Sequence, residues 1–547
     1  MKKLILPILL LISGCASTVK VEKSTYPHMI SLNPSGETFN IQIIPDSNHR
    51  HDDIHDDIID LSASKQDRLG RHIEKIKLNL KRFIDKKESK HIDKEIMIFT
   101  HGGLISKKAS SKAATILHNA IHADNDLCRS EIAEALDKRG RCNVIYPIFI
   151  NWESGMGSAY ADHLFYVRQG KEAPVLGPIT SPFYFVADVG RAITRLPITY
   201  SYQGYDAVRS IDVASENYIK KINKGFYTRL NIDSQVSLGK SNTNSGRQFI
   251  DKATYIFPGI FKLITTPILD TVGKSAWDNM LRRTKTVFRT PDDYHGKFGR
   301  TNGCTKEDTN VALDRLNSVP FNEDDFCDDG LYLKQEMGGV SRLLRAINEV
   351  SGNGGNSKAS FTLIGHSMGA IISSRILGKL LEDKNYSNIR FDNIVFMAAA
   401  STIRQFEDNV IPYLQKHENT KFYNLTLHPY SEENEQTGYD SVPRGSLLVW
   451  IDNYAASPDT ITDLTLGKWN NSVRMLPFIP IGIRDRVSLK GFGVYDKVIN
   501  RAGLKEKYNK PQKHGQFNDA DQCFWRKEYW RPVKNTGYRI CEYSEMK

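Results

Sequence analysis

Apolar positions along this chain follow two rhythms, and the alternation between them predicts its architecture. Short unbroken apolar runs of the strand kind occur at 39–44 (FNIQII), 95–100 (EIMIFT), 143–152 (NVIYPIFINW), 361–364 (FTLI), 391–400 (FDNIVFMAAA), 422–427 (FYNLTL) and 487–494 (VSLKGFGV). Between them, apolar residues recur at three- and four-residue spacing over 64–88, 108–122, 334–350, 370–381 and 403–416, the period of amphipathic helices. In the fourth of these, Ile371, Ile372, Ile376, Leu377, Leu380 and Leu381 share one helical face. Strands alternating with helices from 95 to 427 predict an α/β fold with a mostly parallel sheet flanked by helices.

One stretch breaks the pattern. From Glu153 to about Cys327 the sequence is rich in aromatics, prolines and glycines and has little regular period. A crossover between parallel strands needs one helix; about 180 residues is far beyond ordinary loop length. The expected organisation is therefore a first part of the core at 37–152, a cap-like insertion at 153–333, and a second part of the core with a C-terminal extension at 334–547. Within the insertion, 255–269 (YIFPGIFKLITTPIL) is apolar enough to line a pocket, touch lipid or form a core helix, while Pro258, Pro267 and Lys262 argue against a membrane span.

The amino terminus reads as a processing segment. Lys2 and Lys3 precede an apolar run from Leu4 to Ile12, too short for a spanning helix and laid out like a secretory signal. Ile12-Ser13-Gly14-Cys15 resembles the lipobox of bacterial lipoproteins. That resemblance implies removal of 1–14 and acylation of Cys15; Ala16 in the next position favours outer-membrane placement in the cell envelope. Polar residues 15–36 are expected to be a tether between lipid and domain.

The remaining cysteines fit an oxidising compartment, falling into three close pairs: Cys128 with Cys142, Cys304 with Cys327, and Cys523 with Cys541. Sequential pairing is the expected disulfide pattern. Composition adds bounds: 40% hydrophobic and 25% charged residues suit a globular chain with a sizeable core. The net charge of +11 is scattered and accompanied by no nucleic-acid motif, so it points to an anionic membrane surface and not to nucleic acid. The His/Asp-rich run 49–57 has no closed-site spacing and reads as a solvated loop; no metal ligand set is assigned.

Candidate chemistry sits at three turns. Gly365-His366-Ser367-Met368-Gly369 joins a strand to a helix, with the serine at the apex and glycines where side chains would collide with neighbouring backbone. The helix start behind the serine points N–H groups toward incoming negative charge. His101-Gly102-Gly103 ends the run 95–100, and His514 lies in PQKHGQFND (511–519), beyond the last strand.

These three landmarks, in this order, resemble the α/β-hydrolase fold of serine esterases and lipases. The resemblance implies a triad in the chain order serine, acid, histidine, with Ser367 as nucleophile and His514 as general base. It also implies an oxyanion hole from the N–H groups of Gly103 and Met368. His417 and His428 are rival bases that precede the late strand. The acid is expected just past Leu427, where Glu432, Glu433, Glu435 and Asp440 are candidates; Glu432 and Glu435 lead, and Asp408 is an outlying choice. The implied activity is that of an exported, lipid-anchored serine hydrolase cleaving carboxylic esters, including lipids, through an acyl-enzyme, with no cofactor. The alternative is a silent hydrolase scaffold serving as a surface binding or assembly lipoprotein.

Overall fold

A computed structural model describes residues 19–38, 41–46, 65–89, 92–130, 142–168, 171–172, 175–213, 231–234, 260–289, 338–352, 359–383, 386–435, 445–492 and 511–531. Its centre is an eight-stranded sheet in the order β2-β5-β4-β9-β10-β11-β12-β8. These strands are Met29–Leu32 (β2), Ile92–Thr100 (β4), Cys142–Trp152 (β5), Asn231–Ser234 (β8), Ser360–His366 (β9), Asn393–Met397 (β10), Lys421–Thr426 (β11) and Val487–Gly491 (β12). Every pairing among them is parallel. Val19–Glu22 (β1) and Ile41–Ile44 (β3) pair in a separate small sheet, and Val167–Arg168 (β6) with Lys171–Glu172 (β7) form another. Six of the seven apolar runs thus become strands of the main sheet, while 39–44 does not.

The order of the strands sets where a site can form. The chain passes from β4 outward to β5, then returns to lay β9 on the other side of β4 and continues outward through β10, β11 and β12. The winding reverses between β4 and β9, and such a switch point opens a crevice at the carboxyl ends of the two strands. Register brings those ends level: Thr100 faces Gly365, and His366 faces Met397.

Helices cover both faces. Lys65–Asp85 (α1), Lys107–Arg129 (α2), Gly339–Gly352 (α6) and Gly369–Glu382 (α7) match the predicted helical stretches closely. The helix of 403–416 contains a π-helical turn at Phe406–Val410. A disulfide joins Cys128, at the end of α2, to Cys142, at the start of β5. Closing that short loop contributes roughly 3 kcal/mol on the chain-entropy view. Cys523 is also disulfide-bonded, whereas Cys304, Cys327 and Cys541 lie outside the described residues.

Two expectations need correction. Residues 15–36 are not a simple tether: from Val19 the chain is folded, with Val19, Val21, Met29, Ile30 and Leu32 all buried. The segment is short and polar between its strands, so its apolar residues were too sparse to show a period. The stretch 153–333 is more regular than expected and is woven into the core. It carries Met156–Phe165 (α3), Leu176–Val213 (α4), Ile260–Thr286 (α5) and the edge strand β8. Trp277 and Met280 of α5 belong to the same apolar cluster as the sheet. At the end of α5, Thr286 Oγ1 donates to Pro34 O at 2.8 Å, and just beyond it the N–H of Val340 donates to Val287 O at 3.0 Å. The period of α5 is hidden because, among its described side chains, only a narrow strip at Lys274, Asp278 and Lys285 faces outward, while polar Asp270, Ser275, Asn279 and Arg283 are buried alongside Ala276, Trp277 and Met280. Arg283 donates to Asp162 Oδ2 at 2.7 Å and to Glu153 O at 3.1 Å, so its charge is paired within the core.

The N-terminal segment is locked by buried imidazoles. His72 of α1 stacks on Tyr26 with ring centroids 3.9 Å apart, its Nε2 2.8 Å from Tyr26 O. Burial pushes the His72 pKa down to about 4 and that of His28 to about 3. An imidazole whose folded pKa lies below its unfolded value of about 6.5 loses stability as pH falls below 6.5, by about 1.4 kcal/mol per unit. Between pH 7.5 and 5.5, urea unfolding of wild type should therefore lose about 1.4 kcal/mol more than that of His72→Gln. Identical pH dependence in the two proteins would remove His72 from this account.

Candidate active site

The turn at Gly365–Gly369 is built by close approach. An ideal Cβ on Gly365 would lie 2.7 Å from Ala370 Cα, and one on Gly369 would overlap Thr100 O. Both glycines are needed for the chain to turn from β9 into α7 against the end of β4. At the apex, Ser367 has φ of 52°, a left-handed conformation costing a non-glycine residue about 1–2 kcal/mol. Hydrogen bonds hold it there. Its N–H donates to Met397 O at 2.9 Å, and its carbonyl accepts from Ala370 N at 3.1 Å and Ala400 N at 3.0 Å. Thr100 Oγ1 reinforces the junction from β4, donating to Gly369 O at 2.8 Å and lying 2.7 Å from Ser373 Oγ.

The second turn lies directly on the first. An ideal Cβ on Gly102 would come within 2.9 Å of Ser367 Cβ, and one on Gly103 would overlap the Met368 thioether. His101 fixes this turn: its Nε2 accepts Trp152 N–H at 3.1 Å and its Nδ1 donates to Gly102 O at 2.6 Å. These bonds define the neutral tautomer, and burial holds the His101 pKa below its usual value. Leu104, with φ of 64°, donates its N–H to Ser154 O at 2.8 Å. No backbone acceptor among the described residues takes the N–H of Gly103 or Met368. Two amides without a backbone acceptor thus lie in the touching turns, one on each.

His514 opens a short 3-10 turn, His514–Asn518. Its carbonyl faces His366 Nε2 at 3.1 Å, and the two rings lie 5.2 Å apart, which brings the third turn against the residue preceding Ser367. Both ring nitrogens of His514 and the Ser367 hydroxyl are buried without a hydrogen-bond partner. Such groups are costly to leave unmatched in a folded interior, and they concentrate where a ligand or reacting group belongs. Burial, followed by repulsion from His366, holds the His514 pKa well below 6.5; burial likewise lowers His366 to about 4.

Glu432 and Glu433 sit on Pro429–Asn434, a short helix after β11, and Glu435 directly follows it. Glu435 accepts the backbone N–H of His514 at 2.9 Å, so it orients the turn and not the imidazole. Ser431 ties the same helix to Gln512 at 3.2 Å. Glu432 is buried and accepts the Ser446 hydroxyl at one oxygen, while its Oε2 has no partner. Neither carboxylate is hydrogen-bonded to the imidazole. Asp408 is exposed, Asp440 lies outside the described residues, and no contact of the Glu433 side chain is described. Among the rival histidines, His428 is buried and His417 packs its ring 4.4 Å from Tyr413. Cys15 and the run 49–57 lie outside the described residues. No cluster of potential metal ligands occurs among the described residues.

A small apolar pocket, with a cavity volume of about 30 Å³, opens beside the paired turns. Leu104 and Met368 form its floor, Trp277 and Met280 of α5 one wall, and Trp450 and Tyr454 the other. The second wall is formed by the end of a short helix, Leu447–Trp450, and the π-helical turn Ile451–Ala455 that continues it, held by Asp452. That carboxylate accepts from Thr465 N at 3.0 Å and Asn471 Nδ2 at 3.0 Å, with Lys468 Nζ at 3.4 Å. Sequence reasoning missed these wall residues. Their aromatic and methionine content was visible, but nothing local shows that segments near 277 and 450 face each other across the site. The side chains of 255–269 lie outside the described residues, and later positions of α5 supply the wall. No protein-family model, curated protein or solved structure matches the chain.

Glu432 has a measurable consequence for stability. Burial, opposed by the Ser446 hydrogen bond and by Lys468, raises its pKa to about 8, so the folded protein holds it protonated at neutral pH. A group raised above its unfolded value of about 4.5 penalises folding as pH climbs from 4.5 to 8. Glu432→Gln should raise stability by on the order of 3 kcal/mol at pH 7 and give little change at pH 4.5. Equal stability of the two proteins at pH 7 in chemical denaturation would contradict a buried, protonated Glu432.

Proposed function

We propose that this chain is a serine hydrolase of α/β-hydrolase type that cleaves carboxylic esters through an acyl-enzyme. The observation carrying this reading is the strained Ser367 at a strand–helix turn, wedged against a glycine turn whose amide is uncommitted. In the proposed reaction Ser367 Oγ attacks the ester carbonyl while His514 accepts its proton. The carbonyl oxygen gains charge and is stabilised by the N–H groups of Gly103 and Met368. The tetrahedral species expels the alcohol, which takes the proton back from His514, and water then repeats the sequence to release the acid. Glu432 or Glu435 is the proposed acid of the triad. The apolar lining of the pocket beside Met368 supports a hydrophobic acyl group, as a lipid ester would present. Export, acylation at Cys15 and residence at the outer membrane complete the proposal; they rest on the lipobox-like Ile12–Cys15.

One observation favours the second reading, a catalytically silent scaffold. Ser367 Oγ makes no hydrogen bond to His514, and the imidazole has no carboxylate on either nitrogen. Activity then requires the 511–518 turn or the 429–434 helix with Glu435 to shift when substrate binds, as catalytic hydrogen bonds tighten in the Michaelis complex.

A fluorophosphonate probe separates the two. Wild type should be labelled, Ser367→Ala not at all, and His514→Ala roughly 10²–10⁴-fold more slowly. Because burial keeps the His514 pKa well below 6.5, the labelling rate should stay level as pH falls through 6.5. A folded wild type that resists the probe supports the scaffold; labelling that survives Ser367→Ala overturns the assignment of the nucleophile.

A further inference from the structure

Helix α4 has its polarity reversed relative to a helix facing water. Among the described side chains from 175 to 198, every exposed position is apolar, glycine or proline except Thr194. Leu176, Ile179, Phe183, Val186, Ile193 and Ile198 recur at helical spacing, with Phe183 77% and Val186 68% exposed. Gly190 continues the same face and has nothing within 4 Å of an ideal Cβ. The charged residues turn the other way. Asp188 is buried, accepting from Ser275 Oγ at 2.8 Å and facing His163 Nε2 at 3.0 Å and Arg191 at 3.3 Å. Arg195 pairs with Asp270 at 3.4 Å. The outward stripe is roughly 33 Å long at 1.5 Å per residue. A continuous apolar surface of that extent marks a docking face.

We infer that the outward face of α4 lies in the plane of a phospholipid bilayer and seats the protein on it. Three observations select lipid. A surface that binds a soluble partner carries a polar rim around its apolar centre, and this stripe has almost no polar member along its length. No described helix is long and apolar enough to cross a membrane, and α4 has Pro182 and Pro197 and inward ion pairs, so it lies on the surface. Finally, Val19 is already buried in the fold. An acyl chain on Cys15, four residues earlier, would hold the domain within about 14 Å of the bilayer. Only this last point rests on the proposed lipidation. Helix α4 packs on α5, whose Trp277 and Met280 line the pocket beside Ser367, so the seated face adjoins the route by which a lipid ester would enter.

The test removes the anchor and keeps the face. Residues 15–547 carrying Cys15→Ser are mixed with vesicles of phosphatidylethanolamine and phosphatidylglycerol and floated on a density gradient. The protein should float, and Ile179→Glu/Phe183→Glu/Val186→Glu in the same background should reduce the floating fraction at least ten-fold with an unchanged thermal melt. Ile461→Glu, at a position 55% exposed on another part of the surface, should float normally. If one of the three glutamates disturbs folding, Phe183→Ser alone should still lower the floating fraction several-fold. The inference is overturned if the Cys15→Ser protein stays with the soluble fraction, or if the triple variant floats equally well. It is also overturned if light scattering shows a dimer that the triple variant dissociates, which assigns the face to a second copy. None of these readings depends on whether Ser367 reacts with a fluorophosphonate.

Discussion

Everything at the candidate site depends on two backbone turns touching. The ends of β4 and β9 lie side by side, and the chain leaving each must cross the other without side chains between them. Gly102 and Gly103 from one turn, and Gly365 and Gly369 from the other, leave that space empty. A methyl group at Gly369 would push against the Thr100 carbonyl and lift α7 off the sheet. Hydrogen bonds to Met397, Ala370 and Ala400 then keep Ser367 in a conformation it would not adopt alone. The strain is local and the restraint is distributed over the end of β10, the segment after it and the first turn of α7, which is how a folded scaffold can hold a reactive group in an unfavourable backbone state.

Desolvation is the second physical theme. Ser367, His366, His514 and Glu432 are all buried, and each retains at least one polar atom without a partner. Burial lowers the imidazoles and raises the carboxyl, so the neighbourhood of Ser367 favours neutral forms. A neutral imidazole is what the proposed general base requires. A protonated Glu432 is a poor partner for an imidazolium, so it can act as the triad acid only from its ionised form. Glu435 holds the His514 backbone and would have to release it to serve as that acid.

The long segment between β5 and α6 gives the molecule its remaining character. Its helix α5 is buried on several sides and supplies one pocket wall, while α4 turns its charges inward and its apolar side chains outward. These helices stack over the carboxyl edge of the sheet beside the candidate site. In the proposed reading, one layer of inserted helices both shapes the acyl pocket and contacts the lipid that supplies its occupant.

Much of this was legible locally. Apolar runs such as EIMIFT and NVIYPIFINW could only be strands buried on both faces, and they became β4 and β5. The spacing of Ile371, Ile376 and Leu380 identified α7, and the glycines around Ser367 and after His101 announced tight turns because no other residue fits them. The proximity of Cys128 and Cys142 in sequence sufficed for their disulfide. Other features had no local signal. Residues 19–32 were too short and polar to show a strand period, and the narrow outward strip of α5 at Lys274, Asp278 and Lys285 is masked by polar residues that the fold buries, Asp270, Ser275, Asn279 and Arg283. The meeting of Trp277 with Trp450 spans distant parts of the chain. The engagement of Glu435 with a backbone amide, and not an imidazole, is set by how two turns dock. Periodicity and glycine placement record what each segment needs from its own backbone and are readable in order. Which side chains share a pocket, and which carboxylate loses its water, depends on contacts between segments that only the closed fold brings together.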